Sequence, residues 1–143
     1  MIGDCVVDAS VGIKLFLAEP GSEKADALFE QLTVPLPATL YVPDLFYIEC
    51  TNILWKYARH FGYPPDQAQQ NIIDLQALRL QTISTADLVK PALKLALTYN
   101  LTAYDACYAA LSETLNVPLV TADAPMARKL ANNHIDVRQL ADL

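Results

Sequence analysis

The 143-residue sequence predicts one α/β domain, spanning 1–143, built on a mainly parallel sheet of about five strands. Three observations carry this prediction. Short apolar runs of strand length alternate with amphipathic stretches of helical period along the whole chain. Prolines fall between the periodic segments, and there is no repeat, low-complexity tract, charge block or Gly/Ser linker to mark a second domain. The first run, Cys5-Val6-Val7, is apolar without alternation, as a buried strand is.

Residues 4–8 read as that first strand, followed by a turn at Ala9-Ser10 and a helix over 11–18 with Ser10 as its N-cap. A second helix fits 21–33, where Ala25, Leu28, Phe29 and Leu32 recur at i, i+3, i+4 and i+7. Leu40-Tyr41-Val42 is a short second strand. Pro43 suits the first position of a helix over 44–60, which Gly62 and the Pro64-Pro65 pair interrupt. Residues 65–79 form the next helix, with Ile72, Ile73 and the run from Leu75 to Leu78 as its apolar stripe. Residues 81–84 are the third strand. Thr85 caps a helix over 86–99, where Pro91 is tolerated near the first turn and Asn100 closes the C-terminus. Thr102 starts a helix to about 115, residues 118–121 are the fourth strand, a helix over 124–132 ends at Asn132-Asn133, and 135–138 is a short fifth strand.

Composition narrows the classes of function. Hydrophobic residues make up 53% and charged residues 18%, against roughly 45–50% and 25% in ordinary soluble domains, which predicts an oligomer or a protein partner covering apolar surface. No apolar stretch approaches the ~18 residues of a membrane span, and Met1-Ile2-Gly3-Asp4 lacks the basic start of a secretory signal, so the expectation is a cytoplasmic protein without a membrane role. Cys5, Cys50 and Cys107 are odd in number and widely separated, with only His60 and His134 as imidazoles. They support neither a disulfide framework nor structural zinc, and read as small buried hydrophobes, the two histidines as surface residues. A net charge of −6 argues by itself against a nucleic-acid binder. Four of the sixteen acids, however, fall in one candidate cluster, and two divalent cations there would bring the formal balance to −2. Lys14, Lys56, Arg59, Arg128 and Lys129 remain either to face a phosphate backbone or to serve as solvated surface.

The four acids are Asp8, Glu49, Asp105 and Asp123, each set in or against an apolar run. Burying an ionised carboxylate is unfavourable by several kcal/mol unless it is paired or bound to metal, and an oxygen-only cluster suits magnesium or manganese. Asp8 and Asp123 follow the first and fourth strands. In parallel sheets ligands gather at the carboxyl ends of strands where the strand order reverses, so these two emerge side by side if the strands are neighbours there. Each acid also has a structural explanation. Asp8 and Asp123 can cap the turns that follow them, and Asp105 sits in a first helical turn where the dipole favours an anion. Glu49 can belong to a buried ion pair or to a solvent-facing stripe with Asn52 and Lys56. Ser10 and Thr121, each two residues from an Asp, either close turns or contact metal waters or phosphate oxygens.

Taken together, Val6-Val7-Asp8-Ala9-Ser10-Val11, the segment from Pro43-Asp44 through Glu49 and Asn52 to Leu54, Tyr104-Asp105-Ala106-Cys107-Tyr108-Ala109-Ala110, and Pro118-Leu119-Val120-Thr121-Ala122-Asp123 resemble the successive boxes of PIN-domain nucleases. They occur in the family's order over nearly the whole chain, and the small size is most similar to the VapC-type toxins of toxin–antitoxin pairs. The resemblance implies a three-layer α/β/α fold with strand order 3-2-1-4-5 and cleavage of RNA dependent on Mg2+, with Mn2+ as a substitute. It also implies a homodimer and a cognate antitoxin whose tail covers the active-site groove. Asp8, Glu49, Asp105 and Asp123 correspond to the catalytic, metal-binding quartet, and Ser10, Asn52 and Thr121 to neighbouring polar positions. Glu49 is left with three roles, as direct ligand, holder of a metal water, or base. Ala124-Pro125-Met126-Ala127 lacks the further acid some relatives carry, which leaves the second metal position less defined.

Such a site acts by acidifying a water for in-line attack and neutralising charge on the leaving oxygen. Two other readings share these residues: a PIN-like nuclease for RNA processing or structured DNA without a toxin role, and a non-enzymatic acidic module binding one cation. Aspartate-nucleophile phosphatases are disfavoured, because Asp8-Ala9-Ser10 lacks the second acid of their D-x-D.

Overall fold

Cys5–Val7 (β1) has all three side chains fully buried. Successive strand side chains point to opposite faces, so helices must cover both sides of the sheet here. In the computed structural model, which describes residues 2–143, β1 pairs in parallel with Leu40–Pro43 (β2) on one side and Leu119–Thr121 (β4) on the other. Gln81–Ile83 (β3) and Val137–Gln139 (β5) complete the sheet as partly exposed edges, giving the expected order β3-β2-β1-β4-β5. The chain winds outward from β1 to β3, then returns to the other side of β1, so the order reverses between β1 and β4. Val7 pairs with Val120 at this seam, and the Asp8 amide donates to the Val120 carbonyl at 3.3 Å, which aligns the two strand ends.

The helices are Ala9–Gly12 (α1), Ser22–Glu30 (α2), Leu45–His60 (α3), Pro65–Ala77 (α4), Val89–Tyr99 (α5), Ala103–Leu115 (α6) and Ala124–Lys129 (α7). The run from Ala106 to Ser112 in α6 is buried throughout, because α6 lies between α5 and the sheet. Its alanines allow that close approach.

Several expected boundaries shift. The helix over 11–18 capped by Ser10 is instead α1 followed by a 3-10 turn at Ile13–Leu15. The cap is Asp8, whose Oδ1 accepts from the Val11 amide, and Ser10 lies inside the first turn. Pro43 is the last residue of β2, and Asp44 precedes α3. Ser84, not Thr85, supplies the capping hydroxyl before a 3-10 turn at Thr85–Asp87, and α5 begins only at Val89, so Pro91 falls in its first turn. α7 stops at Lys129, short of the expected 132, and the last strand lies two residues later at its start than expected. Asn100 does close α5 in the left-handed conformation, as Asn116 does α6.

Apolar surface remains uncovered. Val89, Leu93 and Leu97 recur every fourth residue along one exposed face of α5, and Ile48 and Trp55 lie two turns apart on α3. This matches the surplus of hydrophobic residues in the composition. No helix among the described residues is long and apolar enough to cross a membrane.

α1 meets α3 where Gly12 faces the fully buried ring of Phe46. A Cβ at Gly12 would lie 2.6 Å from Phe46 Cζ and 2.7 Å from Cε2. Its backbone is ordinary helix, at φ −58° and ψ −39°, so the constraint is space alone. Gly12→Ala should therefore destabilise the protein by about 1–3 kcal/mol in urea unfolding, the usual penalty of overpacking. In Gly12→Ala/Phe46→Leu the loss should be smaller than the sum of the single effects; additive losses would locate the strain elsewhere.

Candidate active site

At the β1–β4 seam, Asp8 is almost wholly buried, at 5% exposure, and both its oxygens are occupied. Oδ1 accepts from Ser10 Oγ at 2.5 Å and from the Val11 amide at 3.2 Å, and Oδ2 accepts from Thr121 Oγ1. The two hydroxyls continue outward. Ser10 Oγ accepts from the Ala122 amide at 2.9 Å, and Thr121 Oγ1 accepts from the Asp123 amide at 3.0 Å. Ser10 and Thr121 thus tie the start of α1 to the end of β4, around one carboxylate. Burial still outweighs these donors and pushes the Asp8 carboxyl up to about 6, with a smaller contribution from the nearby Asp105 charge.

Asp123 caps α7, its Oδ1 accepting from the Met126 amide at 3.0 Å. Asp105 stands in the first turn of α6, whose cap is Thr102, and its side-chain oxygens accept no protein hydrogen bond among the described residues. Burial and the neighbouring Asp123 raise the Asp105 carboxyl above the usual range, while Lys129 works in the opposite direction. Among the described residues Glu49 forms no ion pair: its Oε1 accepts from the Tyr108 hydroxyl at 2.6 Å. Burial raises its carboxyl, the Tyr108 hydrogen bond lowers it, and Asp105 adds a further upward push.

All four carboxylates line one open cleft of about 280 Å³. α3 supplies Glu49, Asn52, Ile53 and Lys56, spaced so that they share one helical face. The stripe of Glu49, Asn52 and Lys56 is therefore real, but it faces the cleft. Lys56 is the sole cation among the lining residues, and none of the three ion pairs formed among the described residues involves a cleft acid. The negative charge is concentrated and unpaired, the condition that a hard cation relieves.

The donor set fits such a cation in chemistry. Among the described residues, Oδ2 of Asp123, Oε2 of Glu49 and both oxygens of Asp105 have no protein donor, and no buried side-chain polar atom lacks a partner, so the uncommitted oxygens are open to the cleft. It is not a closed cage: among the described residues, no three His, Cys, Asp or Glu side chains are grouped tightly enough to hold a metal ion as they stand. An arrangement of this width suits a magnesium-like ion that keeps several of its waters.

The structure thus brings Asp8, Glu49, Asp105 and Asp123 together, with Asn52 on the cleft wall and Ser10 and Thr121 beneath Asp8. Among the lysines and arginines singled out in the sequence, Lys56 lines the cleft, Lys129 stands close enough to influence Asp105, and Lys14 pairs with Glu19 at 3.5 Å. His60 and His134 are exposed, and the three cysteines are buried and free. Sequence reasoning missed Tyr108. Its signal was available: a residue three positions after Asp105, and so on the same helical face, carrying the polar tip in an otherwise small and apolar run.

Comparison with known proteins agrees with this fold. The family model described as PIN domain matches residues 5–131. The chain is 36% identical over 126 residues to Ribonuclease VapC3 of Pyrobaculum aerophilum, covering 87% of this chain and 92% of that protein. The crystal structure of PAE2754 from Pyrobaculum aerophilum superposes with a TM-score of 0.71 at 24% identity, covering 99% of this chain and 94% of that one. A toxin–antitoxin complex from Klebsiella pneumoniae gives 0.67 at 17% identity, with 96% and 98% covered. Both structures share the fold.

The raised Asp8 carboxyl has a signed consequence for stability. Below about pH 4 Asp8 is protonated in folded and unfolded chains alike, so it adds no pH dependence. Between there and about 6 the folded chain keeps a proton that the unfolded chain has released, and this residue's contribution to stability falls as pH rises. The full interval corresponds to roughly 3 kcal/mol at about 1.4 kcal/mol per pH unit. In metal-free urea unfolding, Asp8→Asn should therefore be more stable than wild type at pH 7, with the difference shrinking toward pH 4. Parallel pH profiles for the two proteins would contradict the burial of this charge.

Proposed function

The chain belongs to the PIN-domain family, and on that premise we propose that it is a divalent-metal-dependent endoribonuclease, the toxin of a toxin–antitoxin pair. The observation that carries this reading is the convergence of four carboxylates, from four separate segments, on one cleft that offers a single lysine to balance them. The relative named a ribonuclease, matched over nearly its whole length, supports the choice of RNA as substrate.

Asp8, Asp105, Asp123 and Glu49 hold the cation, Mg2+ with Mn2+ as substitute. When bound, such an ion supplies a more acidic water for attack and neutralises charge developing on the phosphate. The protein's own contribution is positional. Ser10, Thr121 and the Val11 amide fix Asp8 in one orientation. The α7 cap fixes Asp123 through one oxygen and leaves the other toward the cleft. Asp105, without a protein donor among the described residues, lines the cleft from the start of α6. Asn52 and Lys56, farther along α3, meet the RNA backbone, Lys56 as the positive charge that offsets the acidic rim.

The exposed apolar faces of α3 and α5 are the surfaces for a second copy of this chain and for an antitoxin. The solved toxin–antitoxin complex of the same fold supports the second of these partners. Three free cysteines agree with a reducing, cytoplasmic setting.

Cleavage of total RNA should require added Mg2+ or Mn2+ and should fall by more than about 100-fold in Asp8→Asn, beyond the usual loss for a residue that merely supports a metal ligand. Retained cleavage in the variant, or cleavage unaffected by chelator, would defeat the assignment. Preferential cutting of structured DNA would favour the nuclease without a toxin role. For the toxin role itself, inducing the chain should arrest growth, and co-expressing the product of an adjacent small gene should relieve the arrest.

A further inference from the structure

Tyr108 is 1% exposed on the buried stretch of α6, whose other residues there include Ala106, Ala109 and Ala110. Its ring fills space that phenylalanine would fill as well. The hydroxyl needs a separate explanation, because a buried hydroxyl without an acceptor is unfavourable. Its acceptor is Oε1 of Glu49, 2.6 Å away on α3. Among the described residues Glu49 has no other hydrogen-bond partner through its side chain, and no cation pairs with it. Asp105 lies one turn before Tyr108 on the same face, so α6 reaches the cleft twice, once with a carboxylate and once with a phenol that grips a carboxylate from another helix.

We propose that Tyr108 is a positioning residue: its hydroxyl, donating to Oε1, locks the Glu49 carboxylate across the cleft and leaves Oε2 as the single oxygen offered to a divalent cation. This rests on reading the cleft as a cation site, and it narrows the role of Glu49 within that reading. With Oε1 committed to the phenol, Glu49 meets the ion or one of its waters at one point and does not chelate it through both oxygens. That suits a small octahedral ion, which takes one oxygen per corner and retains waters at the others. A ligand held by a hydrogen-bonded neighbour is already oriented before the ion arrives, the role that outer-shell partners play at metal sites generally.

The test is manganese titration calorimetry on the full chain in a four-member cycle of wild type, Tyr108→Phe, Glu49→Gln and the double variant, with melting temperatures confirming that each is folded. Tyr108→Phe should raise the Mn2+ Kd about 10-fold in the wild-type background and leave it unchanged in the Glu49→Gln background. An unaltered Kd in Tyr108→Phe, or an equal loss in both backgrounds, overturns the proposal, since the phenol would then act on the fold and not through Glu49. A metal-free measurement separates this from the cation reading: the side-chain carboxylate 13C resonance of Glu49 should move in Tyr108→Phe. A resonance that stays in place overturns the positioning role alone, whereas a wild-type protein that binds no manganese overturns the cation reading and the proposal together.

Discussion

The parallel pairing of β1 with β4 is the constraint on which the rest of the molecule depends, because it brings two strand ends together and buries a carboxylate between them. Asp8 survives there through donors from three directions, two hydroxyls and one backbone amide. The same hydroxyls accept from the amides of Ala122 and Asp123, so the conformation of the chain leaving β4 is set by the residue leaving β1. A local hydrogen-bond ring thus converts strand register into the relative placement of two acids. Register shifted by one residue would turn Asp8 to the opposite face and dissolve the site.

This arrangement trades stability for chemistry. Burial pushes Asp8 up, the charge of Asp123 raises Asp105, and that of Asp105 raises Glu49. Among the described residues none of these charges has a basic partner within ion-pair distance, although the chain carries ten lysines and arginines. Charge of one sign collected around a cleft destabilises the empty fold and strengthens whatever cation enters it. The net charge of −6, an objection to nucleic-acid binding when taken as a total, is in part a property of this one cleft.

α3 shows how one helix can serve unrelated demands through its period. Phe46, Cys50 and Leu54 are buried in the core, where Phe46 presses on Gly12. Glu49, Asn52, Ile53 and Lys56 face the cleft, and Ile48 and Trp55 are left exposed. A rotation of this helix would disturb packing, cleft and outer surface together.

The α/β class and the four candidate acids were legible in the sequence, because they depend on short-range periodicity and on apolar runs interrupted by single carboxylates; the strand order was implied only by the family resemblance of the successive boxes. Asp105 and Asp123 were even legible in their structural roles, as an acid of a first turn and a helix cap, and the structure shows that such roles coexist with a place in the cleft. Cap assignments at Ser10, Pro43 and Thr85 each erred by a residue or two, since neighbouring Ser, Thr, Asp and Pro residues compete for a helix start and packing chooses among them. Tertiary structure alone decided what Glu49 and Tyr108 touch. Their hydrogen bond joins residues 59 positions apart on two helices, and no local pattern encodes which of many distant hydroxyls will meet a given carboxylate once both helices have packed on the sheet. Local composition therefore determined which residues are chemically able to form the site, and the long-range packing of α3 and α6 determined how they face one another.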